Sequence, residues 1–329
     1  MKLSYHAAMV PTWDSAIRRE LDLVEEEMRG SVVSEQELLT EISLYVIGSG
    51  GKRIRPAIAI LTYKACAGND VPKVVKIASA FEMIHAATLI HDDINDHGDY
   101  RRGRVAAYKK FGTQKALIAG DFLFVKSFKM GGTFDERIVG MVADACTAIA
   151  ESEMLQSLYE GDVDTPVDRY LKIIEGKTAK PIEAGARVGA YLAKAEEARI
   201  DQMGQYGLAI GMAFQIIDDI LDVVGNEKTL GKPRGVDFVD GKPTLPLIFA
   251  MADAKHGPEI KRLFLKPDKT HQDAEQALAL VVRTDAIARS RGMARQFTDQ
   301  AKAALSELPD SEYKASMIKL ADALAERDT

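Results

Sequence analysis

Residues 89–96 read LIHDDIND and residues 214–222 read FQIIDDILD, so one acidic pattern, D-D-x-x-D, occurs twice within apolar sequence. The acidic residues of the two copies are Asp92, Asp93, Asp96, Asp218, Asp219 and Asp222. On a helix that turns about 100° per residue, positions i, i+1 and i+4 lie within an arc of roughly 100°. Each copy therefore predicts three carboxylates facing one region, an arrangement that is unfavourable unless cations offset it. Because Mg²⁺ prefers oxygen ligands and is often shared between carboxylates and phosphates, the pair predicts a magnesium clamp for a diphosphate.

The composition indicates a soluble, folded chain. The 329 residues are 47% hydrophobic and 28% charged, which excludes a disordered protein, and the formal net charge of −6 disfavours nonspecific nucleic-acid binding. Cys66 and Cys146 form neither a metal-ligand spacing nor a disulfide framework, which is typical of a reducing cytoplasm. The first residues lack the pattern of a signal peptide, and we find no uncharged apolar run of about 18 residues.

Apolar residues recur at helical spacing along most of the chain, and sustained period-two alternation is almost absent. This pattern predicts an all-α fold, a single large helical bundle around a central cavity, with residues 1–329 forming one domain. Helices are predicted at about 13–28, 35–47, 72–96, 113–130, 134–160, 167–175, 177–194 and 198–225, with more between 244 and 327. The longest non-periodic stretch, 225–241, predicts a binding loop or lid.

Basic loops accompany the acidic helices. Residues 50–56 read GGKRIRP and residues 98–104 read GDYRRGR, the second directly after the first acidic copy. Residues 231–235 read GKPRG and residues 241–246 read GKPTLP, after the second copy. A basic turn is more often simply solvated, but carboxylates followed within one loop by guanidinium groups suggest a ligand held by both metal and direct phosphate contacts.

His85 lies two helical turns before Asp92 on nearly the same face. A single histidine in an apolar helix is more often a hydrogen-bonded core residue than a ligand, although His85 could instead donate to a second phosphate group. Residues 82–85 also match the E-x-x-H pattern of di-iron bundles, but that class requires a second copy, which the chain lacks.

Taken together and in order, these motifs resemble the trans-isoprenyl diphosphate synthase, or polyprenyl synthetase, family. The resemblance rests on residues 50–56, His85, both acidic patterns, residues 101–103, 120–121, 177–179, 214–215, 231–232 and 242–246, with residues 320–328 similar to the family's C-terminal end. It implies an all-α fold, a likeness to medium- and long-chain synthases, and usually a homodimer. The implied reaction condenses an allylic diphosphate with isopentenyl diphosphate head to tail (1′-4, trans) and releases pyrophosphate.

The resemblance also implies roles for residues, carried over position by position. The catalytic set is Asp92, Asp93, Asp96, Lys177, Asp218, Asp219 and Lys232. The metal set is Asp92, Asp96 and Asp218 as main ligands with Asp93, Asp219 and Asp222 in support, for three Mg²⁺ ions with substrate bound. The isopentenyl diphosphate set is Lys52, Arg55, His85 and Arg102. The allylic diphosphate set is Arg101, Lys177, Thr178, Gln215, Lys232 and Lys242.

The chemistry suits these residue types. Breaking the allylic C–O bond leaves negative charge on the departing pyrophosphate and an allylic cation behind, so metal ions and cationic side chains must stabilise the leaving group. No protein nucleophile is required, and the released pyrophosphate is the expected base for the final proton. Water must be kept from the cation, which an apolar cavity and a closing loop would achieve.

The chain departs from the family pattern at two places. Val105-Ala106 stands where the family usually has Pro-Thr, and this change predicts a different bracing of the second basic loop. Lys180-Pro181 stands where apolar residues are usual, which adds either a cation near the site or an unusual helix start. Neither change removes a proposed ligand.

Product length is expected to depend on the residues before Asp92. In the family, the residues four and five positions before the first aspartate form a floor for the growing tail, and short-chain synthases tend to have aromatic residues there. Here these residues are Thr88 and Ala87, so the tail can pass Ile84 and Met83 toward Phe81. Each added five-carbon unit gains a few kcal/mol on burial, at about 0.8 kcal/mol per CH₂. We therefore expect a product longer than C20.

Two alternatives remain. A class I terpene cyclase also ionises a diphosphate, but it generally replaces the second D-D-x-x-D and needs no second diphosphate site. A regulatory subunit of a heteromeric synthase tends to lose acidic residues, whereas all six are present here.

Overall fold

A computed structural model describes residues 13–131, 134–226 and 233–326. The first helices are α1 (Arg18–Ser31), α2 (Glu37–Ile47), α3 (Ile54–Ala65), α4 (Val71–Asn95), α5 (Ala107–Phe111), α6 (Thr113–Gly131), α7 (Glu136–Tyr159), α8 (Val167–Ile174), α9 (Lys180–Leu192) and α10 (Glu197–Val224). The later ones are α11 (Val236–Val239), α12 (Leu245–Met251), α13 (Gly257–Phe264), α14 (His271–Val281), α15 (Ala286–Ala304) and α16 (Glu312–Ala325). The all-α prediction is confirmed.

Helix α4 is the central element and bears the first acidic pattern. Its N-terminus is capped by the Asp70 carboxylate, which accepts a hydrogen bond from the backbone N–H of Lys73, and Pro72 occupies the first turn. It is long and apolar enough to cross a bilayer by length and composition, but 72% of its most apolar window is buried. It packs against α1, α3, α6 and α9, so its apolar circumference reflects a core position, as the sequence predicts.

Two buried clusters make up the core of the described residues. The first surrounds α3 and α4 and includes residues of α1, α6, α7, α9 and α16. The second surrounds the C-terminal half of α10 and includes residues of α8 and α12–α15. Helix α10 contributes to both clusters and carries the second acidic pattern where it enters the second one. The assignment of residues 1–329 to one domain stays a prediction.

The structure adds local features that helical periodicity does not reveal. A two-stranded antiparallel hairpin, β1 (Tyr100–Arg101) with β2 (Arg104–Val105), forms inside the second basic loop. A π-helical turn, Glu175–Ala179, joins α8 to α9. The short helix α11 lies within the stretch predicted as a loop, 225–241. Each of these three features lies beside predicted site residues.

Candidate active site

The first acidic pattern divides into half-buried and buried carboxylates. Asp92 and Asp96 are half-buried, whereas Asp93 is only 4% exposed. The Asp93 carboxylate accepts hydrogen bonds from Arg101 Nε at 2.8 Å and Nη2 at 2.5 Å. Asp93 therefore holds Arg101 of the hairpin, while Asp92 and Asp96 stay more accessible.

The second pattern divides in the same way. Asp218 is half-buried, whereas Asp219 and Asp222 are 4% and 3% exposed. Asp219 accepts a hydrogen bond from the Tyr170 hydroxyl at 2.7 Å and another from Gln215 Nε2 at 2.8 Å. Burial and the neighbouring Asp237 raise the pKa of Asp219, so these two donors supply the hydrogen bonding it needs. In both patterns, the carboxylates expected as main metal ligands are the more accessible ones.

Asp222 has a separate task at the end of α10. Its Oδ2 accepts a hydrogen bond from the backbone N–H of Asp237 at 3.3 Å, and its carbonyl oxygen accepts one from Gly235 at 2.9 Å. These bonds attach the start of α11 to the last turns of α10. The lysine predicted beside this segment, Lys232, lies outside the described residues.

The π-helical turn brings Lys177 and Thr178 to the acidic helices. Lys177 Nζ lies 2.6 Å from Glu153 Oε1 of α7, and Thr178 Oγ1 donates a hydrogen bond to Gln215 Oε1 at 2.8 Å. Thr178, Gln215 and Asp219 thus form one hydrogen-bonded chain. Single π turns are frequent at functional sites, and here the extra residue reaches between α7 and α10.

Burial and nearby carboxylates raise the pKa of Asp92 more than the neighbouring cations lower it. Burial raises its pKa to about 6, while Lys177 opposes the rise and Glu153 and Asp96 add to it. Asp96, one turn further along, lies 2.8 Å from Lys242 Nζ through its Oδ2. The predicted allylic-site cations Lys177 and Lys242 therefore lie beside the first acidic pattern.

The first basic loop is anchored by Arg53. Arg53 has a left-handed backbone conformation, with φ at 51°, and its guanidinium lies 2.5 Å from Glu25 Oε1 and 2.6 Å from Glu82 Oε1. A third hydrogen bond runs to the carbonyl oxygen of Ile47 at 2.8 Å. Arg53 therefore faces inward and fixes the loop, while its neighbour Lys52 is exposed and lies over the Phe214 ring at 5.4 Å.

The two basic loops contact each other through Arg102. Its Nη1 donates to the carbonyl oxygen of Gly50, and its own φ of 52° is in the left-handed region. A Cβ at Gly51 would lie 2.6 Å from Arg102 Nη1, which could shift, but the Gly51 φ of 139° itself favours glycine at this position. Strained backbone of this kind is tolerated where the surrounding structure enforces it, often at functional sites.

His85 lies among the arginines of both loops. Burial, followed by the charges of Arg55 and Arg102, lowers its pKa well below the usual value. The imidazole is therefore neutral and can donate one hydrogen bond. Of the two roles weighed for His85, its position on the wall of a cavity shared with Arg55 and Lys177 favours contact with a ligand.

The cavity that His85 lines extends along α4. The space is partly open to solvent, and its wall is formed by Arg55, Phe81, Ile84, His85, Thr88, Val142, Ala145, Cys146, Ile149, Lys177 and Pro181. A second space of about 410 Å³ follows, lined by Ile77, Ala80, Ile84, Ser127, Phe128, Gly131, Ile138, Val139 and Val142. Ile84 and Val142 line both spaces, so the two spaces adjoin at these side chains, which are called the partition below.

Two of the predicted length-determining residues lie away from this wall. Ala87 and Met83 are fully buried and line neither space, and Met83 Sδ accepts a hydrogen bond from Ser31 at 3.2 Å. Thr88 and Ile84, the other two, line the first space. A tail following this cavity would contact Thr88 and Ile84, while the role of Ala87 and Met83 in setting product length stays a prediction.

The residues fit a divalent cation only in combination with a ligand. In residues 13–131, 134–226 and 233–326, no three carboxylate, imidazole or thiolate groups converge closely enough to hold a metal ion by themselves. Asp92, Asp96 and Asp218 nevertheless supply half-buried oxygen donors, and Lys177 and Lys242 lie beside Asp92 and Asp96 respectively. This donor set suits Mg²⁺, which typically takes one or two carboxylates and completes its shell with phosphate oxygens and water.

At Lys180-Pro181, where the sequence departs from the family pattern, the added lysine pairs with nearby glutamates. Lys180 Nζ lies 2.9 Å from Glu183 Oε2 and 3.7 Å from Glu175 Oε1. Pro181 lies in the first turn of α9, where proline is tolerated, and lines the cavity. Lys180 is therefore neutralised within its own segment.

Three residues near the site were not predicted from the sequence. Tyr170 binds Asp219, Glu153 pairs with Lys177, and Glu82 pairs with Arg53. Only Glu82 carried a signal, as a charged residue within an apolar helix, which is rarely buried without a partner. The other two lie on elements with no motif, so their proximity follows only from the packing.

Comparison with known proteins identifies the class of protein to which the chain belongs. The sequence model of the polyprenyl synthetase family matches residues 36–281. Most of the helical region and every predicted diphosphate-site residue lie inside that match. The chain belongs to the polyprenyl synthetase family.

Several curated relatives make long-chain products according to their names. The chain is 35% identical over 300 residues to the octaprenyl diphosphate synthase of Escherichia coli, covering 90% of this chain and 92% of the relative. It is 37% identical to the all-trans-nonaprenyl-diphosphate synthase of Rhodobacter capsulatus, covering 88% and 89%. It is 35% identical to heptaprenyl diphosphate synthase component 2 of Geobacillus stearothermophilus, covering 95% and 98%.

Solved structures agree on the fold. A polyprenyl synthase from Caulobacter crescentus, crystallised with calcium and isoprenyl diphosphate, superposes with a TM-score of 0.91 at 33% identity, covering 96% of this chain and 97% of that one. A geranylgeranyl pyrophosphate synthetase from Pyrococcus horikoshii superposes with a TM-score of 0.87 at 30% identity, covering 96% and 98%. The fold is therefore shared by synthases whose names denote different product lengths.

Proposed function

We propose that the chain is a prenyltransferase that joins an allylic diphosphate to isopentenyl diphosphate, head to tail, and extends the product to an all-trans polyprenyl diphosphate. The observation that carries this proposal is the cavity wall, where Arg55, His85 and Lys177 lie at the polar end and apolar side chains line the remainder. A prenyl diphosphate requires a site with a polar end that can bind phosphate and an apolar channel that can hold the hydrocarbon tail. Family membership and the long-chain relatives support the same activity.

The allylic diphosphate would lie between the acidic patterns. Asp92, Asp96 and Asp218 would hold Mg²⁺, three ions with substrate bound, and the metal would supply positive charge to the departing pyrophosphate. Lys177 and Lys242, already beside these carboxylates, would bind the phosphate oxygens directly. Thr178 and Gln215 would add polar contacts, and Lys232 is proposed for the same task.

Isopentenyl diphosphate would bind between the basic loops. Lys52, Arg55 and Arg102 come from both loops, and neutral His85 would donate a hydrogen bond to a phosphate oxygen. Its double bond would attack the allylic cation, and the released pyrophosphate would take the proton. The apolar wall would keep water from the cation during this step.

We propose a product longer than C20 because the apolar channel continues beyond Thr88. The partition of Ile84 and Val142 is formed by side chains, and the second space lies behind it. From Thr88 to Ile77 the helix rises by roughly 16 Å at about 1.5 Å per residue. Tail growth remains favourable while each new CH₂ gains about 0.8 kcal/mol on burial.

We further propose a cytoplasmic homodimer. Helices α6 and α7 expose a set of large apolar side chains: Leu117, Ile118, Val125, Phe128, Val139, Met154 and Leu158. Exposed apolar surface of this kind typically marks an interface, and a second copy would cover it.

Cys66 and Cys146 are both free thiols, as expected in a reducing compartment.

The deciding experiment is incubation of the purified chain with radiolabelled isopentenyl diphosphate, primers from C5 to C20 and Mg²⁺, followed by sizing of the products. Incorporation into products longer than C20 is expected. A cyclase would leave the label unincorporated. An inert chain that becomes active with a partner would be a subunit of a heteromeric synthase, an outcome worth testing because one relative is named as component 2.

A further inference from the structure

Tyr45, near the end of α2, contacts the hairpin that carries Arg101 and Arg102. The Tyr45 hydroxyl donates a hydrogen bond to the carbonyl oxygen of Val105 at 2.7 Å. In return, Arg104 Nη1 donates to the carbonyl oxygen of Tyr45 at 3.1 Å. Both residues of β2, Arg104 and Val105, are therefore hydrogen-bonded to Tyr45 of α2.

The Tyr45 ring is also enclosed by cations. The Arg104 guanidinium lies 4.1 Å from the ring centroid and Lys110 Nζ lies 4.0 Å from it. The Phe111 ring meets it edge-on, with centroids 5.4 Å apart and planes at 81°. Cation–π contacts contribute about 0.5–2 kcal/mol each, and aromatic pairs add about 0.5–1.5 kcal/mol, so this tyrosine orders the hairpin and the end of α5.

Tyr45 and its contacts with the hairpin, called the brace below, are directly connected to both basic loops. Helix α2 ends at Ile47, immediately before the first loop, and the Ile47 carbonyl oxygen already accepts a hydrogen bond from Arg53. Arg102, at the hairpin tip, donates to Gly50 of that loop. The end of α2 therefore contacts both basic loops, which bear three of the four proposed isopentenyl diphosphate ligands, Lys52, Arg55 and Arg102.

We propose that Tyr45 is a positioning residue, which holds the Arg101–Arg102 hairpin at the isopentenyl diphosphate site without touching substrate. In this chain the brace uses the Val105 carbonyl, at the pair where the sequence departs from Pro-Thr. The kinetic part of this inference rests on the proposed function, but the structural part does not.

The test compares Tyr45→Phe and Tyr45→Ala with Tyr191→Phe and Tyr191→Ala. Tyr191 is a matched control, because its hydroxyl bonds to Asp135 at 3.0 Å and Arg137 lies 4.7 Å from its ring centroid. Arg137 lies 16 residues before Glu153 on α7, which is roughly 24 Å along the helix axis. The control therefore loses the same chemistry at a distance from the Glu153–Lys177 pair of the site and without a contact to either basic loop among the bonds described.

Tyr45→Ala should raise the KM for isopentenyl diphosphate about tenfold while kcat stays within about twofold. Tyr45→Phe keeps the ring contacts and loses one hydrogen bond, so its KM should rise only about two- to fivefold. The Tyr191 variants should leave this KM unchanged. Equal KM values for Tyr45→Ala and wild type, or a loss confined to kcat, would overturn the proposal.

Limited trypsin digestion supplies a readout independent of activity. Cleavage after Arg101, Arg102 and Arg104 should be about tenfold faster in Tyr45→Ala, whereas cleavage elsewhere stays unchanged. If Tyr45→Ala does not fold, as judged by circular dichroism, Arg104→Gln removes the two Arg104 contacts with Tyr45 from the hairpin side and should speed cleavage after Arg101 and Arg102. Unchanged hairpin cleavage in folded variants would refute the brace, while absence of prenyl transfer in wild type would refute only the proposed function.

Discussion

At the residue scale, the six aspartates of the two patterns are not equivalent. Asp93 holds Arg101, Asp219 holds Tyr170 and Gln215, and Asp222 holds the backbone of α11. The other three, Asp92, Asp96 and Asp218, are half-buried. Substitutions in the two groups should therefore fail for different reasons, loss of metal binding in one and loss of positioning in the other.

Asp92→Asn should lower kcat by about 10²–10³-fold, because a carboxylate that helps to stabilise the leaving group is lost. The fold should survive, since Asp92 has an accessible side and a neutral amide of similar size replaces a carboxylate that is costly to bury. Steady-state kinetics at saturating substrates measures the effect. Asp144→Asn, an exposed change on α7, is the control and should leave kcat unchanged. Normal activity in Asp92→Asn would contradict the assigned role.

Arg53→Ala should reduce the free energy of unfolding by about 3–5 kcal/mol, because it leaves the buried Glu82 carboxylate without its partner. Denaturant unfolding followed by circular dichroism measures this change. Arg137→Ala breaks an exposed pair with Glu197 and should cost less than about 1 kcal/mol. Similar losses in the two variants would show that the Arg53 anchor is not a buried ion pair.

At the element scale, helix α4 combines several tasks along one face. Its last turns carry the acidic pattern, His85 lies two turns earlier, and Thr88 and Ile84 line the cavity. Since the residues on this face line both spaces, substitutions one or two turns apart should affect different steps of the reaction. Changes near Asp92 should alter rate, and changes near Ile84 should alter product length.

Thr88→Phe should shorten the main product to C20 or less, because the ring would fill the first space below the diphosphate end. Ile84→Ala should lengthen it by at least one five-carbon unit, because it opens the partition. Product sizing after incubation with a C15 primer measures both. Ala87→Phe, the change expected from sequence alone, places a ring in a fully buried position off the cavity and should cost about 1–3 kcal/mol of stability. Unaltered products in Thr88→Phe would mean that the tail takes another route.

At the scale of the whole molecule, metal removal should separate folding from activity. Because Mg²⁺ is proposed to bind Asp92, Asp96 and Asp218 together with the diphosphate, treatment with EDTA should abolish turnover and leave the thermal midpoint unchanged. Adding Mg²⁺ with pyrophosphate should raise the midpoint, since a ligand at 100 times its Kd stabilises by about 2.7 kcal/mol. Differential scanning fluorimetry measures both. A midpoint that falls with EDTA alone would indicate a structural metal.

The exposed apolar faces of α6 and α7 concern the assembly. Val125→Glu, at a position 65% exposed in the single chain, should convert a dimer to monomer because it would bury a charge at the interface. Sedimentation velocity measures the change. Val282→Glu, at a position 56% exposed and distant in sequence, is the control. A wild-type monomer would contradict the proposed homodimer.

The sequence by itself determined the helical class, the paired acidic patterns, the basic loops and the family, because these depend on local spacing and residue type. Helical spacing places Asp92, Asp93 and Asp96 within one arc, but it does not set how α4 is rotated against its neighbours. Only the tertiary structure decided that Asp93 turns to Arg101, that Arg53 turns inward to Glu82, and that Thr88 rather than Ala87 lines the cavity. The physical reason is that side-chain accessibility depends on the packing of helices distant in sequence, and this packing is a property of the whole core.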